Sequence, residues 1–137
     1  MYKTRSKYNS IIKIRLADIL LLKAEAYVET GNLQAAAGIV NTIRNRAKLE
    51  DLPGTTTTSK DKMADAVLNE RRLELAFEGQ RWFDLVRTGK VFAVMNSLNS
   101  RDSGRLPVTP VTEATVLLPI PQTQIDKNPN LTQNTGY

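Results

Sequence analysis

Residues 68–89, LNERRLELAFEGQRWFDLVRTG, constrain the fold more than any other stretch, because charged and bulky apolar side chains interleave here at close spacing. Glu70, Glu74 and Glu78 recur every four residues and therefore share one face of a helix. Arginines and apolar residues fill the positions around them, including the only tryptophan, Trp82. A solvent-facing helix confines its charges to one side. The pattern instead predicts a helix that carries ions into a partly buried setting, where each ion needs a partner.

Two helices are predicted upstream of this stretch. Residues 14–30 spread apolar side chains over a wide arc, which is typical of a largely buried helix. Gly31 and Asn32 then provide a helix stop and an N-cap, and residues 33–48 repeat apolar side chains on one face. So short a connection makes the two helices antiparallel neighbours. The hairpin resembles one tetratricopeptide repeat, although a generic helical hairpin explains the same residues equally well.

Further helices follow a loop at residues 50–60, where Pro-Gly and a run of threonines disfavour a helix. We expect Ser59 or Asp61 to cap the next helix, and Gly79 to interrupt the helical path. Three more helices are predicted, at about residues 61–77, 80–88 and 91–97. With the hairpin, these elements predict a single all-α domain over residues 1–137, built on tetratricopeptide-like helical hairpins.

The last forty residues have a different composition, with five of the six prolines and little helical periodicity. Residues 116–118 are predicted to be extended, and residues 121–126 to make one helical turn. Prolines at 119 and 121 exclude a central strand. Because apolar residues recur, we expect a Pro-rich irregular tail packed over the helices.

Composition and charge exclude several kinds of chemistry. The 137 residues contain no cysteine, which excludes disulfides, thiolate catalysis and cysteine-ligated zinc, and no histidine, the commonest general base and metal ligand. The net charge of +5 arises in residues 1–23, where Asp18 is the only acidic residue. No aromatic–basic interleaving accompanies it, so nucleic-acid binding is not expected. Residues 11–22 are too charged for a secretion signal and too short to span a bilayer.

The acidic row offers the main candidates for chemistry. Its carboxylates could perform acid–base work, but ion pairs with arginines explain them better. Glu70 and Glu74 with Asp84 lack the alternating acidic spacing of a calcium loop. Hence no catalytic, metal-binding or ligand-binding residue is assigned. We expect instead an ion-pair network that clamps the helices around the glycine break, with the aromatic residues at 82 and 83 wedged beneath. This structural motif comprises Glu70, Arg71, Glu74, Gly79, Arg81, Trp82 and Asp84.

Four stretches, in order, resemble the C-terminal part of the SusD/RagB family of nutrient-binding outer-membrane lipoproteins from Bacteroidetes-type bacteria. They are IRLADILLLKAEAYVETGN, NTIRNRA, LNERRLELAFEGQRWFDLVRTG and LLPIPQTQIDKNPNLTQNTGY. The run ERRxELAFEGxRWxDL and the ending PIP…NPNL…QN…GY are the specific parts. Together the stretches extend from residue 14 to residue 137.

The resemblance implies an all-α fold and non-catalytic capture of a nutrient, most often an oligosaccharide, at the cell surface, with no cofactor. It also implies a SusC-like TonB-dependent transporter as partner, and an outer-membrane lipid anchor that lies upstream. Family members are several times longer, so we expect this chain to be the C-terminal portion of a longer protein. Missing hairpins would expose Ile19, Leu20 and Tyr27, and the isolated chain is expected to self-associate. A tetratricopeptide-like protein–protein interaction scaffold is the alternative function, and an enzyme is a third.

Overall fold

The computed structural model describes residues 13–98 and 110–137. Within these ranges the secondary structure is helical and contains no strand, which confirms the all-α prediction. The helices are α1 (Leu16–Glu29), α2 (Leu33–Arg46), a 3₁₀ helix (Gly54–Thr58), α3 (Lys60–Glu74), α4 (Arg81–Arg87), α5 (Val91–Ser97), α6 (Glu113–Val116) and α7 (Gln122–Ile125). The chain divides into two compact units, residues 1–81 and 82–137. The single domain over residues 1–137 stays a prediction.

Helices α1 and α2 form the predicted hairpin. Gly31 has a φ of 81°, a left-handed conformation that glycine adopts without strain, and it ends α1. The Asn32 side chain accepts a hydrogen bond from the Ala35 backbone N–H at 3.3 Å, so the predicted N-cap of α2 is present. This three-residue connection sets the antiparallel course of the hairpin.

The first unit has its core where α1, α2 and α3 meet. Small residues such as Ala24 and Ala36 are fully buried, which lets the helix backbones approach closely. Larger side chains, including Leu21, Val40 and Met63, fill the remaining space and are also fully buried. Their interdigitation in a dense interior accounts for the packing of three helices on one another. Leu20 and Tyr27 are half-buried against this core, whereas Ile19 remains largely exposed.

Helix α3 ends at Glu74, three residues before the predicted end. The following turn contains Phe77 with a φ of 66° and Gly79 with a φ of 79°. A bulky residue in the left-handed region cannot continue a helix, which explains why the apolar pattern overshoots. At the other end of α3, Ser59 takes the N-cap position, as one of the two predicted candidates, but its side chain makes no capping hydrogen bond. The threonine hydroxyls of the preceding 3₁₀ helix instead bond back to carbonyls, as Thr57 does to Gly54 at 3.0 Å.

The second unit contains α4 to α7 and the Pro-rich tail. The segment predicted to be extended begins inside α6, and only from Leu117 is the backbone extended. Side-chain amides tie the tail together. Asn96 bonds the Val111 backbone N–H at 2.8 Å and its carbonyl at 3.1 Å, and Gln133 bonds the N–H and carbonyl of Ile120 at 2.8 and 2.9 Å. The tail is therefore ordered by hydrogen bonds within its own unit. Its packing over the hairpin stays a prediction.

Candidate functional site

Glu74 forms the centre of a cluster of ion pairs in the first unit. Its Oε1 lies 2.6 Å from Nη1 of Arg15 and 2.6 Å from Nη2 of Arg46. Arg15 directly precedes α1 and Arg46 ends α2. In an antiparallel hairpin those two ends are adjacent, so one carboxylate on α3 reaches both arginines. The Glu74 side chain is only 8% exposed, and two guanidinium groups compensate its charge.

Glu70 makes the next ion pair along α3. Its Oε2 lies 3.1 Å from Nη1 of Arg44, and the Glu70 side chain is 5% exposed. Nε of the same arginine donates to the Glu50 carbonyl at 2.7 Å. Arg44 therefore joins α3, the end of α2 and the start of the following loop.

Arg71 and Asp18 form a deeply buried ion pair between α3 and α1. Arg71 Nη1 lies 2.8 Å from Asp18 Oδ1 and donates to the Asp18 carbonyl at 3.3 Å. The contact with the carboxylate is an ion pair rather than an aligned hydrogen bond. The two side chains are 3% and 11% exposed. Such burial removes both ions from water, so each depends on the other.

Glu78 completes the cluster at its exposed edge. Nε of Arg15 donates to both carboxylate oxygens of Glu78 at 2.9 Å. These hydrogen bonds lower the pKa of Glu78 below its ordinary value. The same bonds, with those to Glu74, raise the pKa of the Arg15 guanidinium. The pair is thus ionised throughout the physiological range.

We call this set the arginine–carboxylate layer. It comprises Arg15, Asp18, Arg44, Arg46, Glu70, Arg71, Glu74 and Glu78. The prediction that the acidic row is ion-paired agrees with these contacts, because Glu70, Glu74 and Glu78 each bond an arginine. The sequence reasoning missed the partners on α1 and α2. Two basic residues at the end of α2 were the available signal, since an antiparallel hairpin places that end beside the start of α1.

Two charged residues of the expected network, Arg81 and Asp84, make further contacts near Gly79 in sequence. Arg81 Nη1 donates to the Leu68 carbonyl at 3.2 Å. Asp84 pairs with Arg87 three residues later, at 2.8 Å, within one turn of α4. The partners of the acidic row come from α1 and α2 because those helices pack directly on α3. The structural role of the whole seven-residue motif stays a prediction.

The aromatic residues of residues 68–89 are more exposed than expected. Phe83 is 66% exposed, so its placement beneath the helices is wrong, and Trp82 is 37% exposed. Phe77 is fully exposed on the turn after α3. Consecutive residues of a helix point in different directions around its axis, and in α4 Asp84 and Leu85 face inward while Phe83 faces outward.

An open groove of about 420 Å³ lies beside the arginine–carboxylate layer. Ala17, Leu20 and Ile43 line its apolar part, and the paired Arg15 and Glu74 border it. Thus the first unit presents an apolar surface next to a fixed set of charges. Among residues 13–98 and 110–137, no three acidic side chains converge closely enough to hold a metal ion.

Comparison with known proteins identifies the family. The model of the SusD family matches residues 1–137. SusD-like protein P38 of Formosa agariphila is 38% identical over 134 residues, which are 93% of this chain and 25% of that protein. The starch-binding protein SusD of Bacteroides thetaiotaomicron is 33% identical over 123 residues, 90% of this chain and 21% of that protein.

A solved structure agrees with these sequence matches. The surface glycan-binding protein A of Bacteroides thetaiotaomicron has a TM-score of 0.72 and 28% identity, over 93% of this chain and 25% of that one. The chain therefore spans about a quarter of the length of these relatives. Its helices, its two specific sequence motifs and a match along its entire length all lead to one assignment: the chain belongs to the SusD family.

Proposed function

We propose that the protein binds glycans at the bacterial cell surface without chemically changing them. The observation that carries this proposal is the match of all 137 residues to the SusD family, together with relatives named for starch binding and for surface glycan binding. Identities of 33% and 28% over about nine-tenths of the chain make these relatives informative about the fold that presents a ligand.

The structure supports a scaffold role for the first unit. Its α3 carboxylates are bonded to arginines of the neighbouring helices, so they serve as structural ion-pair partners. Layers of ion pairs between helices fix their relative positions. We infer that the arginine–carboxylate layer keeps the hairpin rigid, while other surfaces of the protein contact the glycan.

Delivery to a SusC-like TonB-dependent transporter and a lipid anchor in the outer membrane are the finer parts of the proposal. Both are properties of the whole protein and rest on family membership. In the part of the chain that the structure describes, no helix is long and apolar enough to cross a membrane.

Calorimetric titration of the full-length protein with neutral and acidic oligosaccharides tests the proposal. Binding of at least one oligosaccharide, together with recovery of a TonB-dependent transporter in a pull-down from membranes, is the expected result. Arg81→Ala is a useful companion variant, because it removes the bond to the Leu68 carbonyl and should lower the melting temperature while leaving glycan affinity unchanged. A protein that bound no oligosaccharide but retained a soluble peptide partner would instead be an interaction scaffold.

A further inference from the structure

The second unit contains a cleft whose lining includes no residue of the arginine–carboxylate layer. It has a volume of about 400 Å³ and lies between α6 and residues 132–135. That volume falls at the lower end of the range of ligand pockets, roughly 300–1,000 Å³. Both walls belong to the tail, so the cleft is contained within one compact unit.

The walls of the cleft are held in place by the tail itself. Gln133 bonds both backbone groups of Ile120, and Asn134 Nδ2 donates to the Leu118 carbonyl at 2.6 Å. Gly136, with a φ of 100°, packs so closely on α6 that a Cβ there would lie 2.6 Å from Cβ of Ala114. These contacts join the two ends of residues 113–137. A cleft fixed before binding loses little entropy when a ligand enters.

Several polar side chains in the cleft have no hydrogen-bond partner among the described residues. The side chains of Glu113, Thr132 and Thr135 make no hydrogen bond to any described residue, and all three residues are exposed. A carboxylate contributes two acceptor oxygens, and each hydroxyl both donates and accepts. Leu117, which is 61% exposed, adds an apolar surface to the same cleft. The cleft thus offers hydrogen bonds in several directions beside an apolar patch.

This combination selects among ligand classes. An anionic ligand would meet the Glu113 carboxylate, and the described residues of the lining include no arginine or lysine to offset its charge. A metal ion would find only one carboxylate among the same described residues. A neutral polyol matches the lining better, because its hydroxyls donate to the carboxylate and exchange hydrogen bonds with the threonines, while its C–H groups contact Leu117.

We infer that the cleft is a binding site for a short neutral saccharide, with Glu113, Thr132 and Thr135 as its hydrogen-bonding residues. The inference rests on the proposed glycan-binding function and adds to it a location and a preference for uncharged sugars. The glycan is bound by hydrogen bonds to side chains that the fold leaves free.

Nuclear magnetic resonance on the ¹⁵N-labelled chain tests the inference. The probes are a neutral malto-oligosaccharide, a neutral β-linked oligosaccharide and an acidic oligogalacturonate. A neutral sugar should shift the amide signals of residues 113–117 and 132–135, and the acidic sugar should not. The double variant Thr132→Val and Thr135→Val should weaken binding by roughly two- to tenfold for each hydrogen bond lost.

Thr123→Val is the matched control, because Thr123 is an exposed threonine of α7 outside the cleft. The affinity of this variant for the neutral sugar should equal that of the unmodified chain. Unchanged melting temperatures would show that the variants fold. Signal shifts confined to other residues would overturn the inference, and so would an unchanged affinity of the double variant for the neutral sugar. Neither result would contradict the proposed function. An absence of neutral-sugar binding by the chain would also overturn it, while calorimetry on the full-length protein decides the proposed function separately.

Discussion

Replacing Arg71 with methionine should destabilise the fold far more than the same replacement one residue later. Methionine retains much of the aliphatic volume of arginine but has no charge. The variant therefore leaves Asp18 buried beside an apolar side chain, without the guanidinium that lies 2.8 Å away in the native protein. Arg72 is exposed, and within the described part of the chain its side chain bonds only that of Asn69, so Arg72→Met is the matched control.

The burial of the pair sets the size of the effect. Arg71 is 3% and Asp18 is 8% exposed, so water cannot replace the missing partner. Removing one member of a buried ion pair costs about 3–5 kcal/mol, mainly because the other charge remains desolvated. For a chain of this size such a loss lowers the melting temperature by about 10–20 °C. The exposed Arg72 should contribute no more than about 1 kcal/mol.

Urea denaturation followed by circular dichroism measures both variants, and a constant slope against denaturant would show that only stability has changed. The double variant Arg71→Met with Asp18→Asn adds a second comparison, because it removes the buried charge as well. It should recover part of the stability lost in Arg71→Met alone.

A loss in Arg71→Met no larger than that in Arg72→Met would refute the reasoning. So would a double variant less stable than the sum of its two single changes. Either result would mean that solvent reaches Asp18 in the folded protein, and that the pair does not depend on mutual compensation.

Three further predictions concern the same unit. The pKa of Glu78 is lowered in the folded state, so its carboxylate contributes to folding stability above its unfolded pKa of about 4.3. That contribution is lost as the pH falls through the folded-state pKa. The melting temperature below about pH 5 should therefore decline less steeply in Glu78→Gln than in the unmodified chain. Gly38→Ala, inside α2, places its Cβ where no atom from elsewhere in the described residues lies within 4 Å, and should raise the free energy of unfolding by about 0.5–1 kcal/mol. Gly79→Ala, at a φ of 79°, should lower it by about 1–2 kcal/mol in the same denaturation assay. Ile19 is 51% exposed, so the isolated chain should self-associate in sedimentation experiments, and Ile19→Glu should shift it to monomer; an unmodified chain that stays monomeric without binding a hydrophobic dye would contradict this.

The helices of the first unit could be predicted from the sequence because local signals determine them. Apolar periodicity locates α1 and α2 to within two residues, and Gly31 with Asn32 marks the turn between them. The end of α3 could not be predicted in the same way. LELAF continues a helical pattern, and nothing local shows that Phe77 takes a positive φ.

The arginine–carboxylate layer was only partly predictable. Interleaved charges indicated that the α3 carboxylates would be ion-paired, which is a local inference. Their partners depend on tertiary packing, because Arg15 is separated by 59 residues from Glu74 and by 63 from Glu78. The tail presents the same difficulty. The Gln133 side-chain amide bonds both the N–H and the carbonyl of Ile120, as the backbone of a neighbouring strand would. No composition rule identifies which amide will do so.

The layer also has a consequence for the order in which the chain folds. The α1–α2 hairpin is made of local contacts and emerges before α3 during synthesis, whereas the Asp18–Arg71 contact must close a loop of 53 residues. Until α3 docks, the arginines of the hairpin have no α3 carboxylate to pair with and stay hydrated. We therefore expect these ion pairs to form after the folding transition state. Breaking one would then accelerate unfolding and leave the folding rate nearly unchanged, so the layer determines how long the native state lasts more than how fast it is reached.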